Sequence, residues 1–365
     1  MTKGKTNIII IVVAITLCVV ILSVAISAYF VFLHRYKGRT VINEWSAEQE
    51  FDISKVATVN KQKGKEFVIL NLADVQMADL EDLCNMNTIH QEISYLVQIA
   101  KPDLITLTGD QTWSNENLIG LTSLIRWLDG YKIPWAPVFG NHDYGNQYDS
   151  AVASLNYCCQ LYEKSKYCLF DRGPTNIGAL GNYVVNIMED GKIFKTLYMI
   201  DAGYGDIITD EQIAWFSWNA EGIKQANGGQ YTSAMCFMHK PLPEYAIAYG
   251  YYLNGNDDKV EGVGVVHEPN YSLYGTKQNG FFDIAKNVGV EDIVCAHQHG
   301  NNFTIKYQDV RLSFALKTGE LGGYVDDGET YYNGATVFTC ADNSVEINNI
   351  YAPREMFHIK TAGNK

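Results

Sequence analysis

The chain has 365 residues, 47% hydrophobic and 19% charged, which is ordinary for a globular protein and enough for one large domain. A formal net charge of −13 argues against nucleic-acid binding and against general affinity for anionic lipid. An anionic substrate would therefore need local positive charge, which bound metal ions can supply.

In chain order, residues 8–33, "IIIIVVAITLCVVILSVAISAYFVFL", form an uncharged run long enough to cross a bilayer with some tilt. Ser23-Val24-Ala25 is a passable cleavage site for a signal peptide, yet the apolar run continues eight residues past Ala25. The expectation is an uncleaved anchor, residues 1–37, with the C-terminal domain on the extracytoplasmic side. Lys3 and Lys5 before the span are nearly balanced by His34, Arg35, Lys37 and Arg39 after it, so charge alone sets no orientation. Residues 38–64 are polar and read as a stalk.

The soluble part, expected over 65–352 with a tail at 353–365, begins with alternating apolar runs and helical patterns. "FVILNLA" (67–73), "DLITLT" (103–108) and "WAPVF" (135–139) read as strands; Ile89, Ile93, Leu96, Val97 and Ala100 recur at helical spacing, as do apolar residues over 118–128. Strand–helix–strand–helix–strand predicts parallel strands with right-handed crossovers. Asp190-Gly191 between two apolar runs predicts a hairpin. A helix near 210–226, the strand "SAMCFM" (233–238), an irregular tyrosine-rich region over 240–276, a helix near 278–288, the strand "DIVCA" and three further strand-like runs complete the chain.

Outside the apolar span there are seven cysteines, scattered without a CxxC pair, which fits neither a disulfide framework nor a zinc ribbon. Cys158 or Cys159 with Cys168 is the one plausible local bridge. Asn270 and Asn302 lie in N-x-[ST] sequons.

The chemistry sits where strands end. The first strand runs into Asp74 and Gln76, the second into Gly109-Asp110, and the third into Gly140-Asn141-His142-Asp143. His239 follows "SAMCFM", and His297 and His299 follow "DIVCA". Each piece alone has a bland explanation as cap, turn or satisfied histidine. Together they ask five strand ends of an open α/β sheet, where ligand sites form, to carry such residues by accident.

This ordered set, Asp74-x-Gln76, Gly109-Asp110, Gly140-Asn141-His142-Asp143, His239 and His297-x-His299, resembles the calcineurin-like metallophosphoesterases over roughly residues 65–320. "HKPLPEY" followed by "NGFF" is most similar to the branch with Dcr2-type and plant purple-acid-phosphatase-29-like phosphatases. The resemblance implies a four-layer α/β/β/α sandwich and a membrane-anchored phosphoesterase acting on phosphate esters, foremost monoesters; phosphodiester or nucleotide hydrolysis, and a metal-binding pseudoenzyme, are the alternatives. It implies two divalent ions about 3.5–4 Å apart that share an attacking hydroxide. Asp74, Asp110, His299 and Gln76 would hold the first, and Asp110, Asn141, His239 and His297 the second, a donor mixture suited to Mn, Fe or Zn. His142 would be the general acid, with Asp143 orienting its ring. Asn141, His142, Glu244 and Tyr245 are candidate substrate contacts. Gln76 stands where the family usually has histidine. Trp113 occupies the place of the tyrosinate ligand of purple acid phosphatases, which argues against a purple Fe(III) site.

Overall fold

The computed structural model describes residues 3–35, 38–77, 83–113, 117–144, 154–256 except 204 and 206, 258–261, 265–266, 279–319, 325–326 and 331–356. The N-terminal run forms helix α1 (Lys3–Arg35). Its segment Ile10–Tyr29, of mean hydropathy 3.0, is buried nowhere against the rest of the protein. Twenty helical residues rise about 30 Å, the thickness of a hydrocarbon core. α1 is thus long and apolar enough to cross a membrane.

Two sheets make the body. The smaller has five strands in the order β17-β16-β2-β3-β4, with β2 (Phe67–Leu72), β3 (Leu104–Thr108), β4 (Trp135–Val138), β16 (Gly334–Ala341) and β17 (Ser344–Tyr351). As predicted, β2, β3 and β4 are parallel, connected through α2 (Leu83–Ala100) and α3 (Asn117–Tyr131). β16 joins them antiparallel. The larger sheet runs β1-β5-β6-β7-β10-β13-β12-β8, built from β1 (Ala57–Asn60), β5 (Tyr183–Glu189), β6 (Lys192–Met199), β7 (Ala234–Phe237), β8 (Val260–Glu261), β10 (Val290–Cys295), β12 (Thr304–Tyr307) and β13 (Val310–Phe314). Short pairs of β9 (Val265–Val266) with β11 (Asn301–Asn302), and of β14 (Val325–Asp326) with β15 (Tyr331–Tyr332), lie apart.

Strand alternation explains how the sheets stack. Successive side chains of a strand face opposite ways. Leu197 and Met199 of β6, Met235 and Phe237 of β7, and Val294 of β10 enter one core, shared with Ile69, Leu107 and Phe338 of the smaller sheet and with Ile89, Ile93 and Leu96 of α2. Phe237 meets Phe338 edge to face across the two sheets, with centroids 6.0 Å apart. Tyr198, Cys236, Ile293 and Cys295 point the other way, into a second core. That core is covered by α5 (Asp210–Ala226), α6 (Pro243–Leu253) and α7 (Phe281–Asn287). The result is the four-layer α/β/β/α sandwich, with α4 (Leu155–Lys164) packed against α3 at one side.

Three expectations change. Residues 38–64 are not a free stalk. Asn43 and Trp45 hydrogen-bond to the 173–176 loop, Phe51 packs on Trp218 at 5.2 Å, and β1 pairs with β5. Only Val59 of this strand is fully buried, so an apolar pattern could not betray it. The irregular region after residue 240 contains α6, which starts with Pro243 at its first turn, a position proline favours. Cys158, Cys159 and Cys168 are all free, the first two buried as small apolar groups.

Candidate metal centre

β2, β3, β4, β7 and β10 deliver their C-terminal residues to one edge of the sandwich. The backbone there is strained in a consistent way. Asp74, Gln76, Asp110 and His297 all have positive φ, between 48° and 73°, a region non-glycine residues seldom adopt. Such conformations persist only where the surroundings impose them, and they concentrate at functional sites. Here the constraint is a backbone weave: the N–H groups of Asp74, Gln76 and Met77 donate to the carbonyls of Gly109, Asp110 and Gln111. Gly109, at φ 88°, is needed as well, because a Cβ there would lie 2.5 Å from Nδ1 of His239.

The side chains converge. His239 Nε2 lies 3.0 Å from Asn141 Oδ1, 3.3 Å from Asp110 Oδ2 and 3.2 Å from His297 Nδ1. Its Nδ1 lies 2.9 Å from the Thr108 carbonyl, which fixes the ring and leaves Nε2 for the site. Asp110, His239 and His297 offer ligand atoms that all fall within 4.8 Å of one another. Asp74 Oδ1 sits 3.6 Å from His299 Nε2 and 3.9 Å from His239 Nδ1, while the backbone N–H of His297 donates to both Asp74 oxygens at 3.1 and 3.3 Å.

Charge follows the same geometry. Burial opposes ionisation of Asp74, yet His299, His239 and Lys317 outweigh it and hold this carboxyl below the usual range. Burial likewise disfavours charge on His239, but the neighbouring Asp110 carboxylate wins and pushes it up to about 9. Burial and the adjacent His239 push His297 down to about 4. Electron-pair donors gathered this tightly call for a cation between them. The second set, Asp110, Asn141, His239 and His297, therefore fits a divalent ion. In the first set, Asp74 and His299 face each other closely enough to share an ion, but Gln76 does not offer them its oxygen. Its amide oxygen is 3.3 Å from the Lys317 ammonium and its nitrogen 3.2 Å from His299 Nε2.

His142 stands differently from its neighbours. Its backbone N–H donates to Asp110 Oδ1 at 2.8 Å, and its ring, about a third exposed, has Nε2 3.9 Å from Asp110 Oδ2. The ring stacks on Trp113 with centroids 4.8 Å apart. Asp143 does not orient it. Both Asp143 oxygens accept backbone N–H groups, from Gly140, Gln111 and Thr112, with the Thr112 hydroxyl as a fourth donor. This carboxyl clamps the 140–143 turn onto the end of β3; burial and the charge of Asp110 raise it to about 7.

Tyr245 is corrected as well: it is wholly buried, and its hydroxyl lies 2.7 Å from the Ile293 carbonyl and 3.2 Å from that of Ser313. Glu244 lies in the first turn of α6 near the like charge of Asp283, and burial raises its carboxyl. Asn302 is 5% exposed in β11, so a glycan cannot be attached in this fold; Asn270 lies outside the described residues.

Two neighbours escaped the sequence reading. Lys317 is completely buried behind Asp74 and Gln76. Asp201, two residues past the end of β6, accepts from the Tyr144 hydroxyl at 2.5 Å and from the Gly203 N–H at 2.8 Å. The signal for both was available, since each follows an apolar strand, but a lone charged residue after a strand is commonplace.

An open-edged α/β/β/α sandwich with paired aspartates and histidines on its strand ends is the architecture of a metallophosphoesterase. The family profile described as calcineurin-like phosphoesterase matches residues 67–301, and the chain belongs to that family. The chain is similar to the probable inactive purple acid phosphatase 29 of Arabidopsis thaliana, 23% identical over 295 residues, covering 74% of this chain and 72% of that one. It is also similar to phosphatase DCR2 of Saccharomyces cerevisiae, 24% identical over 278 residues, covering 66% of this chain but only 45% of the yeast protein. Among solved structures, purple acid phosphatase PPD1 from yellow lupin aligns with 79% of this chain and 52% of its own, at 11% identity and a TM-score of 0.45. The family generally binds divalent metals in a dinuclear site, and the cluster at Asp110, His239 and His297 is a candidate for one half of it.

Proposed function

We propose that this protein hydrolyses phosphate monoesters at the strand-end cluster, with two divalent ions of the Mn, Fe or Zn type, while α1 holds it in a membrane. The observation that carries this reading is the position of Asp110. One wholly buried carboxylate has a histidine of the second set at 3.3 Å, the His142 backbone N–H at 2.8 Å and the His142 ring at 3.9 Å. When bound, the metal ions would neutralise phosphate charge and provide the nucleophile at neutral pH. Asp74, Asp110 and His299 would hold one ion; Asp110, Asn141, His239 and His297 would hold the other.

The remaining work falls to the chain's own groups. His142, stacked on Trp113 and partly exposed, is placed to act as the acid towards the departing ester oxygen. Asn141 can present its amide N–H to a phosphate oxygen while its Oδ1 faces His239. Asp143 keeps the turn that carries both residues in register. Glu244 remains the candidate for contact with the rest of the substrate.

Turnover assays decide the matter: the detergent-solubilised full-length protein, with added Mn²⁺, is offered aryl and alkyl monoesters, diesters and nucleotides. Monoester turnover exceeding diester turnover is the expected result. Metal binding without turnover on any of them would favour the second reading, a metal-binding pseudoenzyme, which the diversion of Gln76 to Lys317 supports. The domain is proposed to face the extracytoplasmic side, and protease added to intact cells should then cut at the exposed Arg39 and Thr40, before Asn43 and Trp45 dock on the domain, releasing it.

A further inference from the structure

Lys317 is a buried cation that no part of the proposed chemistry uses. Its side chain is 0% exposed, and its Nζ lies 2.6 Å from the Asp74 carbonyl, 3.3 Å from Gln76 Oε1 and 3.3 Å from the Thr318 carbonyl. Three oxygen acceptors call for three N–H donors, which only the ammonium has. The carboxylates that favour its charge against burial are Asp74 and then Glu92, which is also fully buried and whose oxygens accept from the Gly319 N–H at 2.9 Å and the Asn333 amide at 3.0 Å. The backbone keeps this arrangement in place: Ala73 bridges Lys317 in parallel register, and the Thr318 N–H donates to the Ala73 carbonyl at 2.7 Å.

The consequence concerns Gln76. An amide can in principle be turned either way round, but here one orientation is excluded. Reversing it would press its NH₂ group against a fully buried ammonium. Its oxygen therefore faces Lys317, and its NH₂ faces Nε2 of His299 at 3.2 Å. That nitrogen is the one that points at Asp74 and would bind the first ion.

We infer that Lys317 converts Gln76 from a metal ligand into a competitor for His299, so that the first metal site is held by three protein ligands and is kept weak by design of the fold. The inference rests on the reading that these strand ends hold metal. Metal entry at the first site must displace the Gln76 NH₂ from His299, and the displaced amide cannot offer its oxygen instead without stripping Lys317 of an acceptor in a dry setting. At the second site the groups in contact, His239, Asn141, Asp110 and His297, are all candidate ligands, so no side chain from outside the set has to be displaced, and that site fills first.

The test is calorimetric titration of Mn²⁺ into the metal-stripped, full-length protein in detergent. The wild type should bind two ions of unequal affinity. Gln76→Ala removes the competitor, leaves Lys317 its two carbonyl acceptors, and should tighten the weaker site about two- to tenfold while leaving the stronger one unchanged. Lys317→Met frees the amide to turn and should also tighten the weaker site, an effect that shrinks in the Lys317→Met/Gln76→Ala double variant. A tenfold or greater weakening in Gln76→Ala would establish Gln76 as a ligand and overturn the inference, whatever becomes of the Lys317 variants. Less than one ion bound by the wild type would instead defeat the metal-centre reading itself.

Discussion

Gly140 lies directly against Asp110: a Cβ on residue 140 would overlap both the backbone nitrogen and the Oδ1 of that aspartate. The turn that carries Asn141 and His142 thus touches the shared carboxylate through a residue that has no side chain. Gly140→Ala should push the two strand ends apart, at about 1–3 kcal/mol for overpacking a rigid site. Thermal unfolding would read the loss of stability, and metal titration the loss of the second ion. A variant with unchanged metal content would show that the contact is slack.

Asp110→Asn should be the most damaging single substitution at the site. It removes the anion that faces His239 and is proposed to be shared by both ions, and leaves the Oδ1 that receives the His142 N–H in place. Metal affinity and turnover should both fall by more than about a hundredfold, beyond the effect of losing an outer hydrogen-bond partner. Near-normal metal content by elemental analysis would remove Asp110 from the bridging role.

His142→Asn should spare metal binding, since the ring lies beside the ligand set and not within it. General acid catalysis contributes roughly 10²–10⁴-fold, so an alkyl phosphate should lose about that much. An aryl phosphate, whose leaving group needs little protonation, should lose far less. Equal losses on the two substrates would take the acid role away from His142.

Asp201 provides the pH dependence. Burial raises its carboxyl to about 7 in the folded protein, against an unfolded value near 4. Between those values the folded state binds the extra proton, so this group's contribution falls as pH rises from about 4 to 7 and stays low above that. Asp201→Asn keeps an acceptor for the Gly203 N–H and removes the buried charge. In the metal-stripped protein the variant should be more stable than wild type at pH 8, on the order of 1–3 kcal/mol, and should show no such gain at pH 4. Denaturant titrations at the two pH values compare them, and a gain equal at both would mean that Asp201 is already ionised in the fold.

Much of this protein could be read along the chain. Parallel β2, β3 and β4 announced themselves because strands buried on both faces are continuous apolar runs, and their ends announced themselves because Asp, Asn and His interrupt those runs abruptly. Parallel pairing brings Asp74, Asp110, Asn141 and His142 to one end of the smaller sheet, and His239, His297 and His299 to one end of the larger; the stacking of two sheets, where the strand pattern suggested one, unites the groups. What only the tertiary structure decided is which atom faces which. Asp143 sits beside His142 in sequence, yet the backbone N–H groups of Gln111 and Thr112, past the end of β3, and of Gly140 in its own turn claim its carboxylate. Tyr245 follows the site closely in sequence but turns on α6 into the core. β1 is a short edge strand in a polar stretch, and it is identified by its partner β5, not by its own pattern. The orientation of Gln76 depends on Lys317, 241 residues further along the chain. Hydrophobic periodicity is a local property and survives in sequence; hydrogen-bond assignment inside a buried site is a contest among distant groups, and the fold settles it.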